Sequence, residues 1–161
     1  MLLKTYLDLK TNWDLRGQNK SLGMDINEIT YEINGAVFEV NKVLGPGFLE
    51  KVYQNALMLE FKSRGLKAES QVPIKVFYKE DVVGEYIADI FVEDKVIVEL
   101  KTVETIDTMH EAQLLNYLKA TGKRIGLLVN FKHSKAEIKR LVLDLPESDE
   151  GSPNLMHTGP R

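Results

Sequence analysis

The 161-residue chain reads as an α/β domain of the α+β kind: a mixed sheet of four to five strands flanked by helices, with an N-terminal αα-hairpin. Three observations predict it. Two stretches with helical apolar spacing are joined at Gly45-Pro46-Gly47. Three strand-like runs follow between residues 72 and 101, parted by short charged turns. A helical stretch at 108–120 then leads to an almost wholly apolar run at 125–130, and a helix between two strands implies a parallel crossover.

Composition bounds the rest. At 43% hydrophobic and 28% charged, the chain suits one domain with a full core. It has no apolar run of membrane-spanning length, and charges interrupt its first ten residues, unlike a signal peptide. The absence of cysteine excludes disulfides and thiolate chemistry and makes the cytoplasm the simplest setting. A net charge of −3 argues against a protein that coats nucleic acid through a broad basic surface.

Residues 1–23 fit the pattern poorly. Leu2, Leu3, Tyr6 and Leu9 suggest an amphipathic turn or two, then a polar loop, and a flexible extension is expected. Asp25 or Asn27 caps the first helix, whose inward line is Ile29, Ile33, Ala36, Val37, Val40 and Leu44. The second helix spans about 48–64, burying Leu49, Val52, Tyr53, Ala56, Leu57 and Phe61, and Gly65 closes it. Strands at 72–78, 82–92 and 96–101 form a meander, with Pro73 near a strand start and Gly84 marking a bulge. The third helix turns Ala112, Leu114, Leu115 and Leu118 inward and stops at Gly122. Ser134-Lys135-Ala136-Glu137 matches a capping box, so a helical turn is expected before a strand at 138–143. Residues 145–161, with His157 among them, form a polar tail expected to be disordered.

The chemistry concentrates in residues 87–102. Asp89, Glu99 and Lys101 interrupt strands that should otherwise be apolar, and buried charge is costly unless it is paired or holds a metal. Glu99 and Lys101 share a strand face. A two-residue turn would put Asp89 on the other face, whereas a three-residue turn, Glu93-Asp94-Lys95, pairs it with Glu99. The odd-numbered loop, or a bulge of equal effect, is expected, since three-residue hairpins are common; the facing carboxylates would then repel, and a divalent cation would reconcile them. Oxygen ligands suit Mg2+ or Mn2+. Lys101 beside them suits metal-assisted hydrolysis of a phosphodiester. The bland alternative is a half-exposed strand with ordinary solvated charges.

Other polar residues stand in order around this hairpin. Glu50 lies in the first turn of a helix, where the helix dipole alone would explain it. Tyr53, one turn on, reads by spacing as core. Gln113 and Tyr117 are four apart and share a helix face near the end of the strand that carries Lys101. His110 is either a helix-start residue or a group tuning Gln113 or a phosphate contact. The series Glu on a helix, Asp on a strand, Glu-x-Lys and Gln-x-x-x-Tyr resembles the PD-(D/E)XK nuclease superfamily in its RecB-like form. Gly47-Phe48-Leu49-Glu50-Lys51-Val52-Tyr53 resembles the GxxExxY signature of a small bacterial and archaeal family within it. The likeness extends over about residues 27–143, and Ala88 stands where the superfamily name has proline.

The resemblance implies a restriction-endonuclease-like core over residues 24–144. It implies metal ligation by Asp89 and Glu99, with the Leu100 carbonyl, and with Glu50 directly or through water. Lys101 would position the attacking water, Gln113 would orient Lys101 or the substrate, and Tyr117 would support the site or touch nucleic acid. Lys123, Arg124, Lys132, Lys135, Lys139 and Arg140 could hold phosphates or form a solvated face. DNA is favoured over RNA as substrate, with a homodimer or partner protein helping to bring it. A nuclease-like binding module and a small-nucleotide phosphodiesterase are the competing readings.

Overall fold

The computed structural model describes residues 23–144. The expectations for residues 1–22 and 145–161, His157 included, lie outside the described residues.

Helix α1 (Ile26–Leu44) starts at a full capping box: Asp25 accepts from the backbone at the helix start while Glu28 accepts from the Asp25 N–H. Its buried line is the expected one, Ile29, Ile33, Ala36, Val37 and Val40. Gly45 and Gly47, at φ 68° and 108°, turn the chain in a way a side chain would oppose. Helix α2 (Glu50–Ser63) then begins at Glu50, two residues later than the spacing suggests. Leu49 and Val52 are exposed, so its buried face is narrower than expected and rests on Tyr53, Leu57 and Phe61. Residues 48 and 49 belong to the turn, which carries that end of the apolar line out of the helix.

Five strands follow: β1 (Ala68–Tyr78), β2 (Asp81–Val92), β3 (Val96–Lys101), β4 (Ile125–Asn130) and β5 (Glu137–Val142). They form one sheet in the order β1-β2-β3-β4-β5, antiparallel except for the parallel pair β3–β4. Helix α3 (Thr108–Thr121) is the crossover between those two. Strand β1 starts four residues before the expected point, because its polar first residues pair along an edge and show no apolar signal. Pro73 sits inside that edge strand, where its missing N–H costs no central ladder bond. The bulge near Gly84 is real: Val76 pairs with Gly84 and Phe77 with Val82, leaving Val83 over.

One expected element does not form. Residues 132–135 are a series of bends, not a helical turn. The backbone that would have closed the turn is used elsewhere: the Ala136 N–H donates to Asn41 Oδ1, and Glu137 already pairs with Asn130 in the sheet. Ala112 is exposed rather than inward, and the buried line of α3 is Leu114, Tyr117 and Leu118.

The sheet divides two cores. Helices α1 and α2 cover one face with Ile29, Ile33, Leu57 and Phe61 against Ile90, Val98, Leu100, Leu127 and Val129. Helix α3 covers the other with Leu114, Tyr117 and Leu118 against Ile97 and Leu128. Complete burial of each such side chain contributes roughly 1.5–3 kcal/mol. Helix α3 sits so close that a Cβ on Gly126 would meet the Leu114 side chain at 2.8 Å. Gly126→Ala is therefore expected to overpack this face and lower stability by about 1–3 kcal/mol, seen as a lower urea midpoint with unchanged slope.

Candidate active site

The hairpin between β2 and β3 has the three-residue loop. Val92 pairs with Val96, so Glu93, Asp94 and Lys95 form the turn. Glu93 and Asp94 take left-handed φ of 53° and 51°. The strained turn is tied down by paired bonds: the Glu93 N–H donates to the Lys67 carbonyl, and Glu93 Oε1 accepts from the Lys67 N–H, both at 2.7 Å. This register continues through Phe91–Ile97 and Ile90–Val98 and would next set Asp89 against Glu99.

There the ladder stops. Instead of backbone bonding backbone, each carboxylate takes a backbone donor of the opposite strand. Glu99 Oε1 accepts from the Asp89 N–H at 2.9 Å, and Asp89 Oδ2 accepts from the Leu100 N–H at 2.8 Å. The other edge of β2 is broken at the same level. Ser70–Ile90 and Val72–Ala88 pair, while Gln71, between them, has a φ of 56°. Ala88 packs with the α3 core, yet Ile90, two residues on, packs with the α1–α2 core. Residues two apart on a regular strand share a face, so β2 changes faces at Asp89. The carboxylate is thereby held at the seam between the layers, where a regular strand could not place it.

Glu99 is only 4% exposed. Burial first, and the Asp89 charge second, push its carboxyl up from 4.5 to about 8. Asp89 and Glu99 offer oxygen donors, which suit a hard divalent cation that would offset their charge. Among the described residues no three His, Cys, Asp or Glu side chains converge into a cation cage of their own. Glu50 lines, with Asp89 and Leu100, a cavity of about 180 Å3, and its charge adds to the forces that raise the Glu99 carboxyl.

Lys101 points toward α3. Its Nζ donates to Gln113 Oε1 at 3.2 Å, and Gln113 Nε2 donates to Tyr117 Oη at 3.0 Å. The expected spacing of Gln113 and Tyr117 on one helix face is what links the lysine to the helix. Burial, then the Glu99 charge, raises the Tyr117 phenol above its ordinary value. The Tyr117 ring also touches Tyr86 of β2, centroids 5.7 Å apart.

Two expected residues act at a distance from the carboxylates. Tyr53 is buried and its ring stacks on Phe131 at 4.3 Å. Its hydroxyl donates to the Gly45 carbonyl at 2.7 Å and accepts from the Phe48 N–H at 3.2 Å. It therefore clamps the Gly-Pro-Gly turn that delivers Glu50. His110 completes the α3 capping box: its Nδ1 accepts from the Asp107 N–H, while Asp107 accepts from the Met109 and His110 N–H groups. Those donors, the His110 N–H foremost, lower the Asp107 carboxyl below its usual range. The helix-start role is the one His110 fills.

Asn130 was hidden in the apolar run. It is fully buried, and its amide holds both the Val103 N–H and carbonyl and the Lys132 N–H, fastening the loop after Lys101 to the loop after β4. The basic residues do not form one patch. Lys123 pairs with Asp94, Arg124 with Asp144, Lys132 with Glu104 and Lys139 with Glu111. Arg140 reaches Asn27 on α1, so β5 sends its two cations to opposite faces.

The raised Glu99 carboxyl means the folded, metal-free protein keeps a proton that the unfolded chain releases. Stability should therefore fall as pH rises from about 4.5 toward about 8. Glu99→Gln, in chelator, is expected to be more stable than wild type at pH 8.5, on the order of a few kcal/mol, and indistinguishable from it near pH 4.5. Urea unfolding at both pH values measures this, and an equal difference at both would refute it.

Comparison with known proteins bears on this geometry. A family model described as the PD-(D/E)XK nuclease superfamily matches residues 27–141. No curated protein matches the chain. Among solved structures, SSO0001 is similar at 20% identity and a TM-score of 0.47, over 60% of this chain and 51% of that one. The chain thus spans about half the length of SSO0001. An alkaline exonuclease, LHK-Exo from Laribacter hongkongensis, is similar at 12% identity and a TM-score of 0.40, over 72% and 81% of the two chains. At such identities the likeness concerns the fold alone. Running from the first helix into the last strand, the family match covers both layers and the whole candidate centre, and the chain belongs to the PD-(D/E)XK nuclease superfamily.

Proposed function

We propose that this protein is a metal-dependent nuclease of the GxxExxY kind, hydrolysing phosphodiester bonds of DNA in preference to RNA. One observation carries the reading. Asp89 and Glu99 face each other where the sheet parts, with Lys101 held beside them by Gln113 and Tyr117. A structural ion pair would need only one carboxylate near the lysine. Two carboxylates forced together, one of them buried, suit a cation.

Asp89, Glu99 and the Leu100 carbonyl would hold Mg2+ or Mn2+, with Glu50 acting through water across the cavity. Bound there, the cation would polarise a phosphate oxygen and acidify a water molecule. The Lys101 ammonium, fixed by the Gln113 carbonyl, is placed to hold the attacking water and to offset charge on the phosphate. Gln113 cannot swing freely, because Tyr117 occupies its amide nitrogen. Tyr53 keeps Glu50 in place by clamping the turn before it.

Four of the six basic residues singled out between 123 and 140 are ion-paired with carboxylates, so these six offer no continuous free basic patch to grip a duplex. A second copy or a partner protein that brings the substrate suits this surface. Among the described residues no helix is long and apolar enough to cross a membrane. A cytoplasmic setting is the one we propose for a chain without cysteine.

Calorimetric titration of Mn2+ into wild type and Asp89→Asn tests the centre first. Binding in the wild type and its loss in the variant are expected, with oxygen-ligand geometry broken by removal of one charge. Lys101→Ala should retain the metal yet cut cleavage of single- or double-stranded DNA by about 100-fold or more. Wild-type cleavage by Lys101→Ala or Asp89→Asn in a clean preparation would remove the mechanism.

A further inference from the structure

The cavity beside Asp89 has two walls that no role yet explains. Gln54 lies one turn after Glu50 on α2, on the same face. It is 3% exposed, and its Oε1 accepts from Gln71 Nε2 of β1 at 2.6 Å. Both glutamines line the cavity with Glu50, Lys51, Asp89 and Leu100. Gln71 lies level with Asp89 on the neighbouring strand and is the residue whose φ is 56°.

Each partner of this bond is an expensive choice. Gln54 Nε2 is buried without a hydrogen-bond partner, and a buried amide left half satisfied is worse for stability than a leucine of similar size. Gln71 occupies a backbone region that side chains other than glycine and asparagine avoid. Such strain is retained where the surroundings demand it, commonly at functional sites. The demand here is visible: the strain and the bond fall at the level where β2 changes faces and presents Asp89. The bond ties that level of the sheet directly to the helix that carries Glu50.

We propose that Gln54 and Gln71 form a positioning latch for the cation seat. It fixes the helix bearing Glu50 against the strand level bearing Asp89, so that the cavity between them is held at the width a hydrated divalent cation needs. The inference rests on the nuclease reading and adds to it two positioning residues outside the motif, acting through Glu50 and Asp89. Groups that orient metal-binding carboxylates typically govern affinity by 10–100-fold.

The test uses Mn2+ and the whole chain. Gln54→Leu and Gln71→Gly each remove the bond, the first by substituting an apolar side chain and the second while relieving the left-handed strain. Each should weaken Mn2+ binding about tenfold or more by calorimetry, with the melting temperature in chelator equal to that of wild type or higher. The double variant should be no weaker than either single one, because one device has been removed once. Unchanged Mn2+ affinity in Gln71→Gly would overturn the latch, as would a loss of metal-free melting temperature with affinity kept, which marks a merely structural bond. Gln71 is exposed, so this variant keeps the test decisive if Gln54→Leu fails to fold. A wild type that binds no Mn2+ would instead overturn the nuclease centre itself, and the latch with it.

Discussion

The exchange between Asp89 and Glu99 is the constraint on which the rest depends. Two neighbouring strands give up their ladder bonds at one level, and each carboxylate takes the backbone donor that the other strand has freed. The Asp89 and Leu100 N–H groups remain satisfied, as buried backbone donors must be. The two carboxyl groups remain close, and burial together with the Asp89 charge drives Glu99 toward its protonated form. Stability is thus preserved for the backbone while electrostatic tension is concentrated on two side chains. A cation between the two groups is what the proposed nuclease reading adds to that arrangement.

Much of the surrounding structure serves to hold the seam open on one side and closed on the other. The three-residue turn sets the register from below. The left-handed Gln71 and the face change of β2 loosen the outer edge. Tyr53, anchored on Phe131, fixes the turn into α2 and so the position of Glu50. Asn130 fastens the loop that leaves Lys101.

Helix α3 fixes the lysine near the carboxyl pair. Glu99 and Lys101 share the strand face that α3 covers, with Ile97, and Gln113 of α3 holds the lysine there. Tyr117 completes the chain and, with Tyr86, closes that side with aromatic surface. The ammonium is therefore near enough to favour the charge on Glu99 in part, as its lowering influence shows, yet burial and Asp89 prevail.

Sequence alone determined the helices with capping and apolar spacing, the meander, the parallel crossover, and the residues Asp89, Glu99, Lys101, Gln113 and Tyr117 as exceptions to their local patterns. These were legible because period and turn length are local properties: a three-residue loop dictates which residues face each other whatever lies beyond. The tertiary structure alone decided the rest. Ser134–Glu137 has a local helix signal, but β4 and Asn41 claim its backbone donors, and distant partners cannot be read from four residues. Tyr53 spaces as core and is core, yet its hydroxyl holds a turn that only folding brings beside it. Gln54 and Gln71 carry no motif, since their meaning lies in a helix and a strand meeting at 2.6 Å across a cavity. Periodicity shows which way a side chain points; only packing shows what it meets.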